Sequence, residues 1–128
     1  MLIPHGTVIA VVDGKAWELY RNAGTEAAPE LAAMETPALV EHNHSSGGSH
    51  ASPHQQDETA HCAAVADWLN RQVQAHKIAQ IVLIAPPRAL GELRHALSKA
   101  TQQAMIKELA KDMVGRQPNN IIAALRGK

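Results

Sequence analysis

The chain has 128 residues, 45% of them hydrophobic, with twelve basic residues against twelve acidic ones, so its formal net charge is zero with neutral histidines. That length and apolar content fit one globular domain with its own core and exclude wholesale disorder. The charge balance excludes a broad electrostatic footprint for nucleic acid, the single Cys62 excludes an intrachain disulfide or a multi-cysteine zinc site, and no apolar run approaches the ~20 residues of a membrane-spanning helix.

There is no phenylalanine, and the only aromatic residues are Trp17, Tyr20 and Trp68. Alanine and the aliphatic residues must therefore fill the core, which brings elements close together. The opening stretch lacks a basic n-region, and its apolar run Val8–Val12 is too short for a signal peptide, so a soluble cytoplasmic protein is expected.

In chain order, Val8–Val12 reads as a strand and Asp13-Gly14 as a hairpin turn. The return strand is Ala16–Arg21, where Trp17, Leu19 and Arg21 alternate with Ala16, Glu18 and Tyr20. Asn22-Ala23-Gly24 ends it, and a weak third strand falls within Pro29–Leu39. The next stretch, Glu41–Glu58, carries His42, His44, His50 and His54 and has no valine, isoleucine, leucine or aromatic residue. It cannot bury itself, and we expect residues 41–57 to form a mobile polar loop.

Glu58–His76 reads as a helix with Asp57 as its N-cap, because Cys62, Val65, Leu69 and Val73 form one stripe that Trp68 widens. Ile81–Ala85 is uninterrupted and aliphatic, which suits a strand covered on both faces and parallel to an earlier one. Pro86-Pro87 opens a second helix over Arg88–Ala100, with Leu90, Leu93 and Leu97 inward. Gly91 in its middle marks either a close backbone approach or a tolerated glycine. Ala104–Met113 fits both a helical and a strand period, Gly115 ends it, and Pro118–Leu125 reads as a last short helix. Val65, Trp68, Leu69, Leu90, Leu93 and Leu97 are the expected core, with Cys62 inaccessible.

Four polar constellations bear on function. His42, His44, His50 and His54 are a candidate metal site, since imidazoles suit zinc, nickel or copper; the plain alternative is a loop that happens to be rich in histidine. His61 and Cys62 are neighbours in sequence, but adjacent residues of a helix point about 100° apart, so a buried inert thiol is the stronger reading than a nucleophile with its base. Asp13 ends the first strand, where an aspartate can bind metal if other carboxylates such as Asp67 and Asp112 converge on it; a turn residue is the simpler reading. Arg88, at the start of a helix that also carries Arg94 and His95, could meet an anion or line a solvated basic face. No phosphate-binding glycine motif accompanies it. No cofactor is expected.

Three segments carry a family resemblance in the right order: IPHGTVIAVVDGKAWELYRN, ADWLNRQVQAHKIAQIVLIAPPRALGELR and KELAKDMVG. Together they resemble the bacterial host-attachment protein family, described as proteins required for attachment to host cells, and APPRALGELR is the most specific stretch. That family is in turn similar to the middle domain of archaeal and eukaryotic peptide-chain release factors. The resemblance implies an α/β fold, a mixed sheet flanked by helices with a ribonuclease-H-like look, and favours the strand reading of Ala104–Met113. In the release factors, the loop before the first long helix carries Gly-Gly-Gln, which reaches the peptidyl-tRNA ester. The corresponding loop here offers Gly47, Gly48, Ser49 and His50 as a candidate site, with Ser49 where glutamine would stand, so no catalytic residue carries over. The function implied is non-enzymatic support of attachment; the missing signal peptide favours an indirect role from inside the cell, through a protein partner. The alternative is a ribosome- or tRNA-associated factor without the catalytic glutamine.

Overall fold

Five small or β-branched apolar residues in a row, Val8–Val12, leave no polar face, and they form β1, a strand buried along its whole length. The structure is a computed structural model that describes residues 3–39 and 53–126, the side chains of 53–56 excluded. β2 (Trp17–Asn22) returns antiparallel to β1, and β3 (Leu31–Met34) pairs antiparallel with β2. On the other side of β1, β4 (Ile81–Ala85) and β5 (Met105–Ala110) both run parallel, so the sheet is mixed, with order β3-β2-β1-β4-β5.

The register Val8↔Ile81 and Ala10↔Leu83 puts residues of equal parity on one face. Val8, Ala10, Val12, Ile81, Leu83 and Ala85 meet one layer of helices, α1 (Pro53–Gln74) and α2 (Pro87–Ala96), through Val65, Leu69, Leu90 and Leu93. Ile9, Val11, Val82 and Ile84 point the other way, to Ile121 and Leu125 of α4 (Pro118–Leu125). Two covered faces explain why β1 and β4 tolerate no polar residue. The mixed α/β class expected from the sequence is the one observed.

Several boundaries differ from the expected ones, each for a local reason. α1 begins at Pro53, not Glu58, so Asp57 lies inside the helix and is not its N-cap, and residues 53–57 are helical, not loop. A proline at the first position supplies helical φ without losing a needed N–H, and sequence periodicity is blind there because no apolar residue marks the first turn. The helix stops at Gln74, with His76 in a left-handed conformation (φ 61°). The Lys77 N–H donates to the Gln72 carbonyl (2.9 Å) and the His76 N–H to that of Val73 (3.0 Å), the paired bonds of a Schellman end.

The expected helix Arg88–Ala100 is in fact two. α2 ends at Ala96, Leu97 is extended, and Ser98 caps α3 (Lys99–Ala104) by accepting from the Thr101 N–H (3.2 Å). Gly91 has open space where a Cβ would sit, which makes it a tolerated glycine. The ambiguous Ala104–Met113 stretch holds β5, and Leu97 packs in the first cluster as expected. Trp68 corrects the expected core: it is partly buried, at the rim of the first cluster.

One corner is held by a single polar side chain. Asn22, fully buried at the end of β2, donates through Nδ2 to the Ile3 carbonyl (2.8 Å) and accepts at Oδ1 from the N–H groups of Gly24 (2.9 Å) and Glu30 (3.0 Å). It thereby ties the N-terminal segment, the end of β2 and the approach to β3 together.

Candidate functional site

The polar segment that the sequence singles out joins the scaffold beside the β1–β2 turn, where α1 docks. In that turn, Asp13 Oδ1 accepts from the N–H groups of Lys15 (2.8 Å) and Ala16 (2.6 Å). The carboxylate is thus spent on shaping the turn, the simpler of its two sequence readings. Gly14 serves close approach here: a Cβ on it would lie 2.9 Å from Cγ and Cδ of Glu58.

Three side chains one helical face apart hold α1 to the hairpin. Glu58 covers Gly14; His61, 6% exposed, places Nε2 3.1 Å from the Ala16 carbonyl; and Trp68 meets Trp17 edge to face at 5.3 Å between ring centres. Since a carbonyl only accepts, His61 Nε2 is the protonated donor of this pair. Aromatic pairs of this geometry add about 0.5–1.5 kcal/mol beyond area burial. The spacing 58, 61, 68 is helical, so this polar-aromatic stripe was readable beside the apolar one; what it would touch was not.

Cys62 lies one residue on and faces the core, with no exposed surface. Burial first, then the charges of Glu58, Glu92 and Asp13, push its thiol up from 9.0 to about 12. A neutral, inaccessible thiol is a poor nucleophile and a poor metal ligand. Native protein is therefore expected to react with a thiol reagent only after unfolding, and rapid labelling without unfolding would show the packing of α1 to be wrong. Because the folded value lies above the unfolded one, the stability this thiol confers is complete below pH 9 and is lost as pH rises towards 12. Tyr20, raised by burial and by Glu18, acts in the same sense. Urea midpoints measured at successive alkaline pH values should therefore fall more steeply for the native chain than for Cys62→Ala.

The candidate residues of the sequence reading are placed as follows. Gly47, Gly48, Ser49 and His50, and the histidines His42 and His44, lie outside the described residues, as does the expected mobility of their segment. His54 lies within α1, with its side chain outside the description. Among the described residues no group of three or more histidine, cysteine, aspartate or glutamate side chains could hold a metal ion. Asp67 is engaged with Arg71 one turn along α1, on the surface. Arg88 is exposed at the start of α2, whereas Arg94 reaches across to β5, where its Nε donates to Glu108 (2.9 Å). The hydrogen bond to Glu108 and its charge raise the guanidinium further, so Arg94 stays charged and occupied.

These features define an α/β protein built on a mixed sheet, five-stranded among the described residues and covered on both faces, whose first long helix docks on the β1–β2 turn at the end of a polar, histidine-rich connection. The chain belongs to the family described as proteins required for attachment to host cells, whose family model matches residues 8–125, from the start of β1 to the end of α4. A comparison with curated proteins finds no match. No helix among the described residues is long and apolar enough to cross a membrane.

Proposed function

We propose that this chain supports attachment to host cells without catalysing a reaction, and that it does so indirectly, from inside the cell, through a protein partner. Family membership over residues 8–125 carries the attachment role. The non-enzymatic reading is supported by what the reactive side chains near the docked helix do. Asp13 shapes a turn, His61 holds a backbone carbonyl and Cys62 is buried and protonated. Cells lacking the gene are expected to attach poorly to host cells and to recover with the wild-type chain and with Cys62→Ala. Failure of Cys62→Ala to restore attachment, with the variant folded, would argue for thiol chemistry. Recovery of the chain on the outer surface in cell fractions would overturn the indirect route.

A second reading has one observation in its favour. Residues 35–52, with Gly47-Gly48, connect β3 to the first long helix, the same chain position that the release-factor resemblance assigns to its reactive loop. On this reading the chain is a ribosome- or tRNA-associated factor. Ser49 offers no amide where glutamine would stand, so it would bind without hydrolysing peptidyl-tRNA. A zero formal net charge weakens it. Co-sedimentation with ribosomes from lysate, sensitive to changes at Gly47 and Gly48, would favour this second reading over the first.

A further inference from the structure

The two edges of the sheet are treated differently. β5 carries Lys107 and Glu108 in mid-strand, Glu108 is engaged by Arg94, and the β4–β5 register shifts between Ile81 and Val82. Charges and irregular register are the usual guards against further strand pairing. β3 has neither: its four residues, Leu31–Met34, are all uncharged and contain no proline, and Ala32 and Ala33 are exposed. Among the described residues, its only sheet neighbour is β2.

The backbone of β3 is set to receive a strand. The Glu30 carbonyl accepts from the Ala23 N–H (2.8 Å), so it faces β2. Alternation then turns the N–H and C=O groups of Leu31 and Ala33 to the side away from β2, where no strand lies among the described residues. Pro29 and Pro37 bracket the stretch and limit any added strand to a few residues. Around it stand three exposed carboxylates, Glu26, Glu30 and Glu35, none in an ion pair among the described residues, against one nearby cation, the exposed Arg21 opposite Ala32. Met34, partly buried against the α1-side cluster, offers an apolar contact at one end.

We propose that the outer edge of β3 is a docking site for a short extended peptide of a protein partner, with an aliphatic centre and basic residues flanking it. Main-chain bonds to Leu31 and Ala33 would supply the pairing, and Glu30 and Glu35 the selectivity for basic flanks. A second copy of this chain is the poorer occupant, because antiparallel self-pairing would bring two sets of these same glutamates together.

The site stands apart from the attachment reading, because it is tested on purified protein. The probe is a fluorescein-labelled Lys-Val-Thr-Val-Thr-Lys peptide, with a Glu-flanked twin as control, followed by anisotropy at low salt. The expected result is saturable binding of the basic probe and at least about tenfold weaker binding of the acidic twin. Ala33→Pro, which removes an outward N–H and no bond to β2, should abolish binding while leaving the circular dichroism and tryptophan emission native. The double variant Glu30→Lys, Glu35→Lys should reverse the preference to the acidic twin, which keeps the test decisive if the proline variant misfolds. Absence of binding, equal binding of the two peptides, or binding indifferent to these changes would overturn the proposal. So would self-association of the free chain that Ala33→Pro abolishes, since the edge would then serve a second copy.

Discussion

Leu69→Ala is expected to lower the unfolding free energy by about 2–5 kcal/mol, read from urea denaturation followed by tryptophan emission. Leu69 has no exposed surface, and it sits in the cluster where α1 meets Val8, Ala10, Leu83 and α2. Truncation would remove transfer energy and also leave a cavity, because the neighbours belong to a sheet that cannot collapse inward. Where the loss falls in that range reports how far the helix layer relaxes. The control is Ile106→Ala on β5, where the isoleucine is 37% exposed and the loss should stay well below that at Leu69. Equal losses at the two positions would mean that the helix layer does not pack as described.

Asn22→Ala should cost on the order of 3 kcal/mol, although it removes few atoms. The Gly24 and Glu30 N–H groups would lose their acceptor and the Ile3 carbonyl its donor, at a residue with no exposed surface. Unsatisfied buried groups are what make such changes expensive. Asn22→Asp separates the two halves of this network. A carboxyl group keeps the acceptor side but faces the carbonyls of Ile3, Pro4 and Thr25, which together with burial disfavour its ionised form. Its folded pKa would lie above the unfolded value, so the variant should lose stability as pH rises from about 4 to about 8. A pH-independent loss would show that the corner opens to water. The corner also leads into β3, so the same variants are expected to weaken the basic-peptide probe.

Local pattern was enough for the elements that face a core. Val8–Val12 and Ile81–Ala85 were legible because an uninterrupted aliphatic run has no polar face to turn to water, and Pro118–Leu125 because proline opens it and two isoleucines with a leucine keep helical spacing. The stripe Cys62, Val65, Leu69 likewise placed α1 and foretold the buried thiol. Pattern failed where backbone bonds outside any apolar period set the boundary. Residues 53–57 are helical without an apolar residue to announce it, and Ser98 splits one apparent helix by capping a new one. For the candidate site, composition alone marked the histidine-rich segment, and its residues 41–52 lie outside what the structure describes.

By itself, then, the sequence determined the fold class, the two-faced burial of β4, the burial of Cys62 and the likeness to the host-attachment family that the family match bears out. Only the tertiary structure decided what the polar residues do. A side chain's hydrogen-bonding chemistry is local, but its partner is brought by the fold from far along the chain. His61 meets the Ala16 carbonyl 45 residues away, and Asn22 meets Ile3 19 residues away. The same holds for the two sheet edges, since no periodicity in LAAM or MIKELA states which side of a strand is left without a neighbour. Strand order decides that, and it results from the packing of both helix layers at once.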